Sequence, residues 1–197
     1  MGNREDLLAG AKRCLLEKGY ARTTARDIAA ASGVSLAAIG YHFGSKEALM
    51  NQAVYESVGE WAEEVERALN VDETTGKPLR RFESVMERTI ESFGGSGRGL
   101  WAAQIELLGL LEHNKELRQF LAGVQGDAAA GLAELMLGID PVAEPQPARE
   151  AGSVLHALLI GVMVKWFMAP GQALSAHELA GGLRFIAERV TGLDGTT

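Results

Sequence analysis

Apolar residues recur along almost the whole chain at intervals of three and four. Between Met50 and Leu69 the series Met50, Val54, Val58, Trp61, Val65, Leu69 steps by four, four, three, four and four, which puts all six on one face of a helix. No stretch alternates with period two between hairpin turns, so the chain is expected to be all-α. Its glycines, prolines and capping residues divide it into about nine helices. The first runs from about Glu5 to Lys18 and stops at Gly19. Thr24, with Asp27 completing a capping box, starts a second that ends at Ser32-Gly33. A third, capped by Ser35, runs to Phe43, and Ser45 caps a fourth that reaches Leu69. Asn70 to Lys77 is polar, and Pro78 suits the first turn of a fifth helix carrying Leu79, Phe82, Val85, Met86, Ile90 and Phe93. Gly94 to Gly99 reads as a loop. Helices are then expected over Leu100–Glu112, Lys115–Leu137, Ala148–Met168 and Ser175–Thr191, with the proline-containing segment Gly138–Pro147 as the clearest loop.

The 197 residues, 47% hydrophobic and 23% charged, suffice for a core without disulfides or metals, which excludes a disordered or fibrous chain. Cys14, the single cysteine, sits at helical spacing from Leu7, Leu8, Ala11 and Leu15 and is expected to pack as a small core residue. No basic and apolar leader opens the sequence, so a cytoplasmic protein is expected. The most apolar run, Gly152 to Met168, is shorter than the ~20 residues of a membrane span and contains His156 and Lys165, so it is read as a buried helix with no membrane partner. The formal net charge of −7 is unevenly spread: residues 1–55 carry +2 and the remainder −9. A basic N-terminal segment on an acidic body is compatible with one small DNA-facing surface.

The segment from Thr24 to Leu49, TARDIAAASGVSLAAIGYHFGSKEAL, carries the functional signal. Two short helices joined by Ser32-Gly33-Val34-Ser35 have the spacing of a helix-turn-helix, in which the first helix braces a second that enters the major groove. Ile28, Val34, Ile39 and Phe43 are inward and apolar, and Gly33 permits the positive φ of the turn. The stretch resembles the TetR family of bacterial transcriptional repressors on Thr24, Asp27-Ile28-Ala29, Gly33-Val34-Ser35, His42-Phe43 and Ser45-Lys46-Glu47-Ala48-Leu49. The motif covers roughly the first quarter of the chain, as the family's C-terminal domains diverge widely. Where members often carry an aromatic one place after Ile39, this chain has Gly40, with Tyr41 next.

With Ile39 and Phe43 inward, Leu36, Ala37, Gly40 and Tyr41 point out from the second helix toward base edges. None is an Arg, Lys, Asn or Gln able to make a bidentate base contact, so readout leans on thymine methyls and DNA shape. Arg26, Tyr41 and His42 are expected to supply polar contacts and Lys46 a phosphate contact at a helix N-terminus. Thr24 and Ser35 are candidates either for hydroxyl contacts or simply for capping.

The resemblance implies a DNA-binding domain over 1–48 and a helical ligand-binding and dimerisation domain over 49–197. Dimerisation is expected through the last two helices: Val154, Leu155, Leu158, Leu159, Val162, Met163, Trp166 and Phe167 form a band too wide for one neighbour. Leu179, Gly182, Leu183 and Ile186 face it from the ninth helix. An inducer cavity is implied, with Trp61, Phe82, Met86, Phe93, Trp101, Gln104, Leu108 and Phe120 as candidate lining. The buried amide of Gln104 needs a partner, while the role of Glu106 is left open. The implied function is a homodimeric regulator, a repressor released from a palindromic DNA operator by a small-molecule inducer. The alternative is a small-molecule-binding or interaction module whose helix-turn-helix is vestigial.

Enzyme readings are weak. His42, His113, His156 and His177 are scattered, with no HExxH or paired-cysteine metal spacing. No nucleophile elbow, phosphate loop or dinucleotide fingerprint occurs; Gly94-Gly95-Ser96-Gly97 falls between helices. No catalytic residue, metal or cofactor is expected.

Overall fold

The computed structural model describes residues 2–69 and 77–192. Among these, nine α-helices follow one another and no strand occurs: α1 (Asn3–Lys18), α2 (Ala25–Ser32), α3 (Leu36–Phe43), α4 (Lys46–Ala68), α5 (Pro78–Gly94), α6 (Arg98–Leu110), α7 (Lys115–Leu137), α8 (Pro145–Met168) and α9 (Ala176–Thr191). A 3₁₀ turn at Pro170–Gln172 precedes α9. Lys77 apart, the polar stretch from Asn70 lies outside the described residues. The largest difference from the expected boundaries is at α8, which starts at Pro145 rather than Ala148. Pro145 and Pro147 stand in the first turn, where the absent N–H groups have no intrahelical partner to lose.

The chain forms two compact units, each drawn from separated segments. The first takes Met1–Glu64 and Gly94–Gly126, so it holds α1–α3, most of α4, α6 and the start of α7. Leu7, Ala11, Leu15, Ile28, Leu49, Met50 and Ala53 meet Leu100, Ala103, Leu107 and Leu117 in a single core. Each such leucine or isoleucine contributes roughly 1.5–3 kcal/mol on burial. Cys14 is buried there as expected, and burial pushes its thiol pKa up. Packing therefore groups α6 and the start of α7 with the helix-turn-helix rather than dividing the chain at residue 48.

The second unit takes Val65–Phe93 and Asp127–Thr197. Phe82, Val85, Met86 and Phe93 of α5 are buried in it with Ala129, Ala133 and Met136 of α7. A Cβ on Gly152 of α8 would stand 1.8 Å from the Ala129 carbonyl oxygen, so the two helices meet backbone to backbone. Phe93, Trp166 and Phe167 pack with ring centroids 5.2–6.3 Å apart.

Helix α8, with a mean hydropathy of 1.6 in its most apolar window, is long and apolar enough to cross a membrane, yet only 28% of that window is buried. The expectation of a buried helix is corrected accordingly. Leu155, Leu159, Val162 and Met163 form a buried stripe, while Val154 is 66% and Met168 79% exposed. The helix is apolar over more of its circumference than one chain covers.

The same division runs through the expected dimer face. Leu155, Leu159, Val162 and Leu179 are occupied inside the chain, whereas Leu158, Trp166 and Leu183 are half-buried and Gly182 and Ile186 exposed.

Candidate nucleic-acid interface

Helix α2 starts in a reciprocal cap. The Asp27 N–H donates to Thr24 Oγ1 at 3.2 Å, and Asp27 Oδ2 accepts from the Thr24 N–H at 2.9 Å. Lys18 pairs with Asp27 from the end of α1. The Lys18 ammonium first, and then the Thr24 hydroxyl and amide, hold the Asp27 carboxyl well below the usual carboxylate range. Gly33 ends α2 in the left-handed region at φ 71°, its N–H donating to the Ala29 carbonyl at 3.0 Å. Ser32 Oγ accepts from the Val34 N–H at 3.2 Å, pinning the turn from inside. That contact and the crossing of α1 over α2 at Gly10 were not singled out in the sequence. A Cβ on Gly10 would lie 2.8 Å from Ser32 Cβ and 3.2 Å from the Ile28 carbonyl oxygen.

On α3, Ile39 is 4% exposed while Leu36 and Tyr41 are 49% and 85% exposed. Ala37 and Gly40 are exposed beside them, and a Cβ on Gly40 would meet open space. The outward set Leu36, Ala37, Gly40, Tyr41 thus stands on one free face. The half-buried His42 meets Tyr41 edge-on at 4.9 Å, and Arg4 of α1 covers the Phe43 ring at 5.0 Å. Arg26 is exposed at the start of α2.

Thr24 is engaged as a cap, but Ser35 makes no side-chain capping bond and is exposed. Ser45 does cap α4, accepting from the Ala48 N–H at 2.9 Å. Lys46 is turned inward: its Nζ donates to the Thr23 carbonyl at 3.2 Å, pairs with Glu47 at 3.3 Å and lies 5.8 Å from the Tyr20 ring centre. The head is stapled to α4 by Lys12, which bridges Glu56 at 3.0 Å and Glu60 at 2.8 Å.

Residues 7–53 match the family model for bacterial regulatory proteins, tetR family. Over this segment the chain is similar to the tetR-type DNA-binding domain. The HTH-type transcriptional repressor AcnR of Corynebacterium efficiens is 40% identical over 65 residues, which cover 33% of this chain and 35% of the relative. The AcnR of Corynebacterium glutamicum is 41% identical over 63 residues, 32% and 34% of the two chains. The match thus spans about a third of these curated relatives. Over a much larger share, the multidrug binding protein EbrR complexed with imidazole superposes with a TM-score of 0.65 at 23% identity, covering 93% of this chain and 95% of that one. EbrR complexed with proflavin gives 0.63 at 21%, covering 93% and 98%. This second likeness is one of fold: the all-α architecture is shared over almost the whole chain.

The candidate ligand residues divide between the two units. In the first, Trp61 of α4 and Trp101 of α6 meet edge-on at 4.9 Å, and Phe120 of α7 meets Tyr55 of α4 at 6.2 Å. Gln104 Nε2 is sealed from solvent and has no hydrogen-bond partner among the described residues. Leu108 is less enclosed than the other candidates. It is 36% exposed, in the last full turn of α6. Phe82, Met86 and Phe93 are core residues of the second unit. Glu106, whose role the sequence left open, accepts a hydrogen bond from the Ala21 N–H at 2.8 Å.

Proposed function

We propose that the chain is a cytoplasmic, homodimeric repressor that binds a palindromic operator and leaves it when a small apolar or amphipathic inducer binds the C-terminal region. The carrying observation is the free face of α3, whose exposed Leu36, Ala37, Gly40 and Tyr41 stand on a helix held from below by Ile39. Such a face, offered by a tetR-type head, fits a major groove. Its apolar character favours operators read through thymine methyls and groove shape rather than through guanine contacts. Thr24, Arg26, Ser35, His42 and Lys46 flank it as candidate backbone or edge contacts. The dimer sets two copies of α3 on successive grooves, ~34 Å apart. An inducer acts by binding better to a state in which that spacing is lost. The unpartnered Gln104 amide beside the turn of Trp101 supports a ligand site in which one polar group orients an apolar molecule.

Fluorescence anisotropy on DNA flanking the coding region, backed by unbiased site selection and read at two salt concentrations, tests the reading. Tight binding that weakens steeply with salt is expected as phosphate counterions are released. Tyr41→Ala and Leu36→Ala should each lower affinity about tenfold. Absence of salt-sensitive binding to any selected sequence would overturn the proposal in favour of a vestigial head.

A further inference from the structure

We propose that Glu106 of α6 is a positioning residue for the DNA-reading helices, holding the α1–α2 turn and thereby the attitude of α2 and α3; the inference rests on the DNA-binding reading above. Beyond the shared apolar core, α6 touches the end of α1 and the turn after it through Gly99 and Glu106. At the first, Gly99 lies against the end of α1 so closely that a Cβ would stand 2.9 Å from the Leu16 carbonyl oxygen and 3.2 Å from Leu16 Cα. At the second, Glu106 Oε2 accepts the Ala21 N–H at 2.8 Å, while Oε1 lies 3.0 Å from where a Cβ on Gly19 would stand. Residues of both contacts line a cleft of about 390 Å³, together with Leu15, Arg22, Arg98 and Ala102. Contact between α6 and the turn therefore includes a directional bond whose partners are 85 positions apart in sequence.

The turn it grips has leverage. Ala21 stands three residues before Thr24, the N-cap of α2, and α2 leads through Gly33 into α3. Lys46 grips the same turn from α4 at the Thr23 carbonyl, so two helices hold neighbouring peptide groups. The Ala21–Glu106 bond is exposed, so water satisfies the amide when the carboxylate is removed, and little stability is lost. What goes is geometry. A loosened turn lets α3 adopt several attitudes, and the protein discriminates less sharply between operator half-sites set at the correct spacing and those displaced by one base pair.

The test compares wild type, Glu106→Ala and Glu106→Gln, the last keeping a side-chain oxygen that accepts the Ala21 N–H. Amide hydrogen exchange over residues 16–24, read without DNA, should be about tenfold faster in Glu106→Ala and near wild type in Glu106→Gln. On a site-selected operator and its one-base-pair spacing variant, wild type should prefer the correct spacing by about tenfold or more; Glu106→Ala should lose most of that preference and Glu106→Gln restore it. Melting temperatures should agree across the three proteins. Unchanged exchange in Glu106→Ala, faster exchange with an unchanged spacing preference, or a large fall in melting temperature would each overturn the positioning role. Failure of wild type to bind any selected DNA would remove the regulator reading itself, while the exchange arm still reports whether the tether exists.

Discussion

The Tyr20 hydroxyl lies in the core of the first unit and donates to Asn51 Oδ1 at 2.7 Å, with Tyr20 and Asn51 3% and 2% exposed. Burial, with Glu47 and Glu116 adding to it, pushes the phenol up to about 12. An unfolded tyrosine ionises near ~10, so the stability this group contributes is complete below that pH and is lost as the pH rises toward its folded value. Tyr20→Phe should cost ~1–3 kcal/mol at neutral pH, because it leaves the Asn51 oxygen buried and unpaired. The same variant should flatten the alkaline limb of a melting-temperature profile. Asp27 has the opposite sign. Its carboxyl is held low by Lys18 and Thr24, so its contribution is present above ~4 and is lost as the pH falls further. Asp27→Asn should therefore melt earlier than wild type at pH 7 and converge on it in acid. The Thr24–Asp27 box is legible in sequence because its partners are three residues apart. Tyr20–Asn51 and Ala21–Glu106 join positions 31 and 85 apart, which no local pattern announces.

At the scale of elements, two glycines of the second unit separate close packing from open surface. On Gly152 of α8 a Cβ would meet the Ala129 backbone at 1.8 Å, whereas on Gly131 of α7 it would meet nothing within 4 Å. Gly152→Ala must push the helices apart and should cost about 1–3 kcal/mol. Gly131→Ala, in an exposed helical position, should gain roughly 0.5–1 kcal/mol from helix propensity. Thermal melts of both variants check the pair, and equal shifts would contradict the packing. The helices were largely readable because caps and glycine stops act locally: Gly19, Gly33 and Gly44 each end a helix at positive φ. Pro145 and Pro147 misled the reading of α8 because proline marks a first helical turn as readily as a loop. Periodicity likewise gave a helix over Leu100–Glu112 without saying that Leu100, Ala103 and Leu107 belong to the core beneath α1.

At the scale of the whole molecule, a helical stripe says that a face is apolar but not which chain covers it. Within α8 and α9, Leu155, Leu159, Val162 and Leu179 are covered by this chain, while Val154, Phe185, Ile186 and Val190 remain 57–80% exposed. Each exposed side chain would contribute about 1.5–3 kcal/mol if fully buried, and a stable dimer interface buries ~1,600 Å² in total. If the two helices pair with a second copy, Ile186 sits where a charge must be desolvated on association. Ile186→Glu should then raise the dimer dissociation constant by about a hundredfold or more. The isolated fold should hardly notice, since residue 186 is 57% exposed within one chain. Sedimentation velocity across a concentration series should find wild type dimeric and the variant monomeric with unchanged helical circular dichroism. Operator affinity should fall in parallel, because one α3 helix cannot engage two half-sites. Wild type sedimenting as a monomer at all concentrations would mean that this surface serves another purpose.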